Sequence, residues 1–366
     1  MADLKIKTRH VVQNIKKIND HLEKHGIKWS LITKILCGHK GALEKVMESE
    51  EIQRVHSIGD SRLSSLKVIK QINPKIRTMY IKPPAIQHAK SVVQFADISL
   101  NTSFSTIESL NKEALEQDKI HEIIIMIELG ELREGIMRDN LVEFYKSVFE
   151  LSNIKIAGIG TNLGCMYGVE PTYDKLIQLS LYKQLLEQMF SRKMELVSGG
   201  SSITLPLVSQ KKIPVAVNHF RIGEAAFLGT SPYDNKKFRN LSMDCFEYES
   251  NILELEEKEY VPDGIISEAS IGHISEEDLN GREDGTSYKA ILDFGILDVD
   301  VNEIEANDTD VNFIGTTSDL TVYDLGKNLT KSGRKKYKVG DKIIFTPNYM
   351  GVARLMNSKF IEKKVV

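Results

Sequence analysis

Apolar positions along this chain recur with two different periods, and the change between them divides it. From residue 9 to about residue 230, short apolar or β-branched runs alternate with stretches of helical spacing. In RHVVQNIKKINDHLEKHG (9–26), Val12, Ile15, Ile18 and Leu22 fall on one helical face, and Gly26 supplies a stop. Strand-like runs follow at 29–37 (WSLITKILC), 54–59 (RVHSIG), 77–82 (RTMYIK), 96–100 (ADISL), 122–129 (EIIIMIEL), 154–160 (IKIAGIG), 194–200 (MELVSGG) and 213–223 (IPVAVNHFRIG). Each is followed by a helical pattern. The run at 122–129 is continuously apolar, as a strand covered on both faces must be. Alternation of this kind implies a parallel sheet, and eight units imply a closed (βα)₈ barrel of TIM type. An open doubly wound sheet is the alternative.

After Pro232 helical periodicity fades. Alternating segments appear at 289–300, 311–317, 320–325 and 341–347, separated by Gly, Asp and Asn turns. The expected organisation is a barrel over residues 1–230 and a smaller, mostly β domain over 231–366. The chain's 366 residues suit such a division, since single cores rarely grow that large.

Composition narrows the function. A net charge of −3 gives no electrostatic footprint for nucleic acid or an anionic membrane surface, and no run of eighteen apolar residues occurs. MADLKIKTRH at the N-terminus lacks the apolar core of a leader. Three cysteines, Cys37, Cys165 and Cys245, form neither a disulfide framework nor a CxxC metal pair. A cytoplasmic protein without a metal site is expected. Gly158, Gly160 and Gly164 lack the spacing of a dinucleotide-binding loop.

Candidate chemistry collects where strands end, because a barrel of this kind carries its active site on the C-terminal rim. The first strand ends in Lys34. That amine is either the solvated end of a surface strand or a Schiff-base nucleophile whose pKa falls on desolvation. The fifth strand runs into Glu128-Leu-Gly-Glu-Leu-Arg133-Glu-Gly135, and the sixth into Gly160-Thr161-Asn162 with Cys165 close behind. The seventh ends in Ser198-Gly-Gly200-Ser201-Ser202, a Gly-Ser turn able to hold a phosphate on its N–H groups and hydroxyls. The eighth ends in His219-Phe-Arg221-Ile222-Gly223-Glu224. Each feature alone has a structural explanation, as a turn or a surface ion pair; their coincidence on one rim is the stronger observation.

The segments TKILCG, IELGELREGI, GIGTNLGCMYGVEPT, SGGSSITLPL, VNHFRIGEA and ILDFGILDVD…IGTTSDL resemble, in order, the ornithine racemase branch of the alanine racemase family. The likeness runs over about residues 4–362. It implies a pyridoxal phosphate-binding barrel followed by a β domain, head-to-tail homodimers and a small amino-acid substrate. By that resemblance Lys34 carries the cofactor and moves a proton, and Arg133 lies near the cofactor's phenolic oxygen and the substrate carboxylate. Gly200, Ser201 and Ser202, with the backbone of Ile222 and Gly223, hold the phosphate, and Arg221 faces the pyridine nitrogen. Asn162 stands where alanine racemases keep a ring-contacting histidine.

Two departures matter. The tyrosine that alanine racemases use as the second base is replaced by Ile296 in Gly295-Ile-Leu-Asp298, and Met126 stands where they often carry a carbamylated lysine. A second base must come from Cys165, Asp298, Asp319 or His39; Cys165 is favoured, since a neighbouring cation readily ionises a thiol. Asp298, Ser318 and Asp319 in the β domain would reach the partner's site, where carboxylates select a substrate with a distal ammonium such as ornithine. The expected activity is racemisation of a basic amino acid. The alternatives are an alanine racemase, a basic amino-acid decarboxylase, and a non-enzymatic carrier of the cofactor.

Overall fold

The computed structural model describes residues 2–234, 236–265, 272–274 and 285–366. Its chain forms two compact units, one of Thr8–Met243 and one of Met1–Lys7 with Asp244–Val366. The seam therefore falls at 243/244, where the sequence suggested 230/231, and the first residues belong with the second unit. The reason is strand pairing. β1 (Asp3–Ile6) lies antiparallel to Phe246–Glu259, Leu4 opposite Tyr248, and parallel to Glu362–Val365.

The larger unit is a closed eight-stranded parallel barrel of β2 (Lys28–Ile32), β3 (Ser57–Asp60), β4 (Thr78–Tyr80), β5 (Ile98–Asn101), β6 (His121–Met126), β7 (Ile154–Gly160), β8 (Leu196–Ser201) and β9 (His219–Ile222). Neighbours pair in sequence order, and β9 closes onto β2 with Leu31 opposite Ile222. All eight expected runs are strands, which excludes the open sheet. The runs at 29–37 and 213–223 are trimmed, however. β2 stops at Ile32 and Lys34 opens a 3₁₀ turn, while β9 begins only at His219.

α1 (Thr8–Glu23) buries Val11, Ile15, Ile18 and Leu22, with Val11 in place of the expected Val12. Beneath it the Trp29 indole donates to Asn19 Oδ1 at 2.8 Å, so a buried ring keeps its hydrogen bond. Met79, Ile98, Leu100, Ile124, Met126 and Leu196 pack together from β4 to β8. This apolar packing makes the strands a rigid platform for the loops at their ends.

The smaller unit is a mostly antiparallel sheet centred on the long strand Phe246–Glu259, which pairs with Thr286–Leu292, Lys342–Pro347 and β1. Tyr248, Phe294 and Phe345 form its aromatic centre, with ring centroids 5.5–5.9 Å apart. Among the described residues, the α-helix Tyr349–Asn357 accompanies the sheet. No helix among the described residues is long and apolar enough to cross a membrane.

Candidate active site

Lys34 stands two residues beyond β2 and its position is set from below. The Thr33 hydroxyl donates to Asp60 Oδ2 at 3.0 Å, and Thr33 N donates to Gly59 O at 2.9 Å. Asp60 is fully buried at the end of β3; burial pushes its carboxyl upward, while the Arg62 N–H and the Thr33 hydroxyl favour the anion. Lys34 itself is exposed. Its charge reaches Glu224, whose carboxyl is pushed upward by burial and offset by the Thr230 hydroxyl and by Lys34. The lysine and the β9 turn therefore share one rim. Backbone proximity agrees, since a Cβ on Gly223 would lie 3.1 Å from Ile32 O.

The phosphate candidates flank this turn. Ser202, 5 % exposed, accepts the Ala225 N–H through Oγ at 3.1 Å, which ties the β8 turn to the segment after β9 and leaves its O–H to donate. Ser201 N donates to Thr204 Oγ1 at 3.1 Å. Gly200 is required by packing: a Cβ there would meet the Phe220 ring at 2.2 Å. This set of one hydroxyl-rich turn, adjacent backbone N–H groups and a nearby amine suits a dianion, so the residues present fit pyridoxal phosphate.

Arg221 lies between these elements. One terminal nitrogen donates to Ser198 O at 2.8 Å and Ser198 Oγ at 2.5 Å, and the other to Thr161 O at 2.7 Å. Burial lowers its pKa to about 10, so the guanidinium remains a cation at neutral pH.

The loops after β6 and β7 form the opposite side. Glu128 accepts the N–H groups of Gly130 and, at 3.1 Å, Arg133. Arg133 pairs with Glu134 at 3.2 Å and donates to Cys165 Sγ at 3.1 Å. Glu134 also accepts from Asn162 Nδ2 at 3.1 Å. One interaction fastens the two loops. Glu131, 1 % exposed, accepts backbone N–H groups from Cys165 (3.1 Å), Met166 (2.8 Å), Tyr167 (3.0 Å) and Val169 (2.8 Å). Its burial disfavours the anion, but the four donors outweigh that and hold the carboxyl below its ordinary range.

The structure thus brings Arg133, Asn162 and Cys165 into one contact group, and Lys34, Ser201, Ser202, Arg221, Ile222 and Gly223 onto neighbouring strand ends of the same rim. Asp298, Ser318 and Asp319 lie together on the second unit, where the loops 295–298 and 317–320 clasp: Ile296 N donates to Thr317 O at 2.9 Å and Leu297 N to Ser318 O at 3.1 Å. Asp298 accepts from Ser358 Oγ at 2.9 Å, whereas Ser318 and Asp319 are exposed. His39 caps α2 (Lys40–Met47), its Nδ1 accepting the Ala42 N–H at 3.2 Å. That accounts for His39 as a structural residue. Sequence reading missed Asp60, Glu131 and Glu134; only Glu134 carried a local signal, its place beside Arg133.

Residues 6–232 match the family model for the alanine racemase N-terminal domain. An ornithine racemase from Acetoanaerobium sticklandii is 32% identical over 350 residues, 95% of each chain. A lysine racemase from Thermotoga maritima is 28% identical over 360 residues, covering 98% of this chain and 97% of that one. Among solved structures, an alanine racemase from Clostridium difficile superposes with a TM-score of 0.77 at 15% identity, covering 100% of this chain and 95% of that one. One from Bartonella henselae with covalently bound pyridoxal phosphate gives 0.74 at 16%, covering 100% and 99%. At those identities the superpositions speak for the fold.

Proposed function

This chain belongs to the alanine racemase family, and from that premise we propose that it interconverts the L and D enantiomers of a basic amino acid, ornithine first, with pyridoxal phosphate as cofactor. The observation that carries the reading is the shared rim. Lys34 follows β2 and acts electrostatically on Glu224 in the segment after β9, and the Ala225 N–H of that segment holds Ser202 Oγ at the end of β8.

Pyridoxal phosphate, when bound, supplies an electron sink that makes the substrate's α-hydrogen acidic. In this reading Lys34 holds it covalently, Gly200, Ser201, Ser202, Ile222 and Gly223 form its phosphate seat, and Asn162 contacts the ring. Arg221 faces the pyridine nitrogen; a guanidinium donates and cannot accept, so it keeps that nitrogen unprotonated. Arg133 orients the substrate carboxylate. Lys34 would move the α-proton on one face, and Cys165 would take or return it on the other. The Arg133–Cys165 contact at 3.1 Å supports this assignment, since it holds the sulfur beside the residue assigned to the substrate carboxylate.

Ornithine is preferred because the two curated relatives are racemases of diamino acids by name. Asp298, Ser318 and Asp319 would meet the distal ammonium across a head-to-tail homodimer. Three cysteines form no disulfide framework, which suits a reducing compartment, and the reading puts the enzyme in the cytoplasm.

Incubation with L-ornithine and pyridoxal phosphate, followed by separation of enantiomers, should yield D-ornithine. Putrescine would make the chain a decarboxylase, and no product would make it a carrier. Lys34→Ala should lose both the reaction and the borohydride-reducible visible absorbance; an unchanged spectrum removes Lys34 from the role.

A further inference from the structure

A chain of hydrogen bonds runs from Arg221 into the barrel interior. Arg221 donates to Ser198 Oγ (2.5 Å), Ser198 Oγ meets His219 Nδ1 (2.8 Å), His219 Nε2 meets Ser30 Oγ (2.9 Å), and Ser30 Oγ meets Ser57 Oγ (2.7 Å). Ser198, His219, Ser30 and Ser57 are all at most 1 % exposed. A guanidinium can only donate, so the arrangement that gives both the Ser198 and the Ser30 hydroxyl an acceptor for its own proton runs inward from Arg221. Ser198 accepts from Arg221 and gives its own proton to Nδ1. His219 then carries its proton on Nε2 and donates to Ser30, which donates to Ser57.

We propose that His219 is the positioning residue for Arg221: through Ser198 it fixes which guanidinium N–H groups stay free to face the active site. The count is definite. Both hydrogens on one terminal nitrogen serve Ser198 and one on the other serves Thr161. One N–H on that second nitrogen and the Nε–H are left over for the site. If His219 could not accept at Nδ1, the Ser198 hydroxyl would lose the acceptor that turns its lone pair toward Arg221. A second proton on His219 would likewise take away the acceptor that the Ser198 hydroxyl uses at Nδ1. Its surroundings prevent that: burial, with His56, Arg221, Arg77 and Lys28 nearby, holds the imidazole neutral. The inference deepens the cofactor reading and rests on it for the role of Arg221.

Two measurements separate the inference from that reading. In the unmodified protein with ¹⁵N-labelled histidine, the His219 nitrogen shifts should report a bare Nδ1 and a protonated Nε2, with or without pyridoxal phosphate. A protonated Nδ1 overturns the proposal. In the holoenzyme, Ser198→Ala and His219→Phe should each weaken pyridoxal phosphate binding on the order of ten- to hundred-fold, as loss of one charge-assisted hydrogen bond does. Both should move the visible maximum in the same direction. The double variant should be no weaker than Ser198→Ala alone, and His219→Asn, whose amide oxygen can take the Nδ1 place, should recover most of the affinity. Multiplying effects, or an Asn variant as impaired as the Phe variant, overturn it. Should His219→Phe fail to fold, the tautomer measurement decides. If the unmodified protein binds no pyridoxal phosphate, the cofactor reading falls while the nitrogen shifts still test the hydrogen-bond chain.

Discussion

Replacing Glu131 by glutamine should release the loop that carries Asn162 and Cys165. The carboxylate's two oxygens each accept two backbone N–H groups, Oε1 from Cys165 and Val169 and Oε2 from Met166 and Tyr167. A glutamine keeps one oxygen and turns an NH₂ toward the other two donors. Two charge-assisted bonds are lost at about 1.5 kcal/mol each, so the loop is destabilised by about 3 kcal/mol. At about 1.4 kcal/mol per factor of ten, that is an opening equilibrium on the order of a hundredfold larger. Hydrogen exchange read by mass spectrometry should show the amides of 165–169 exchanging about that much faster, with the barrel strands unchanged. The effect depends on pH. Burial opposes the anion but the four N–H groups lower its pKa below the ordinary carboxylate value, so its contribution is complete above that value. It is lost as pH falls through the lowered pKa. Wild type and variant should therefore converge in acid. Equal exchange at neutral pH, or a gap that persists once Glu131 is protonated, would refute the argument.

Cys165→Ser should cut racemisation by about 10²- to 10⁴-fold, as loss of a placed proton carrier does, while leaving the Lys34-dependent spectrum intact; full activity would remove Cys165 as second base. Asp319→Asn should raise KM for ornithine more than for alanine, and an equal effect on both would exclude charge selection at that exposed carboxylate. In the second unit, buried Lys289 pairs with Asp324 at 2.9 Å, and Asp324→Asn leaves that ammonium uncompensated at about 3–5 kcal/mol. Burial disfavours the Asp324 anion, but Lys289, the Gly326 N–H and the Ser287 hydroxyl together lower its pKa. Wild-type stability in urea should accordingly decline as pH falls through that lowered value, and the variant's should decline less. Parallel pH profiles would show that the pair contributes nothing to acid lability.

The barrel was legible because its strands are covered on both faces and read as apolar runs between helical stretches. The strand Phe246–Glu259 was not. Its first half is buried or half-buried, Glu249 included, its exposed charges come at Glu256–Glu259, and FEYESNILELEEKE resembles neither template cleanly. β1 is too short to show a period, and its pairing with Phe246–Glu259 and Glu362–Val365, both far away in sequence, makes it a strand. The site divides the same way. Lys34, Arg133, Ser202 and Arg221 sit in motifs that announce themselves at strand ends. Asp60 and Glu131 act through bonds to Thr33 and to residues 165–169, and such bonds leave no local spacing to detect.

The residues beneath the candidate ring position bear on reaction type. A pyridine nitrogen that is protonated withdraws electrons strongly and prolongs the deprotonated state of the α-carbon, which invites transfer of the amino group as a side reaction. Here the group assigned to that nitrogen is a guanidinium, still charged with a pKa of about 10. Bonded to it in series stand Ser198, His219, Ser30 and Ser57, and burial keeps that histidine from taking a proton. The hydrogens in this chain point from Arg221 toward the barrel interior, so no acid lies behind the guanidinium to supply the nitrogen. In the proposed reading, proton traffic falls to the groups on the rim, Lys34 and the Cys165 side of the site. An arrangement that withholds protons from the ring and supplies them near the α-carbon favours return of the proton to carbon, and that return is what inverts a stereocentre.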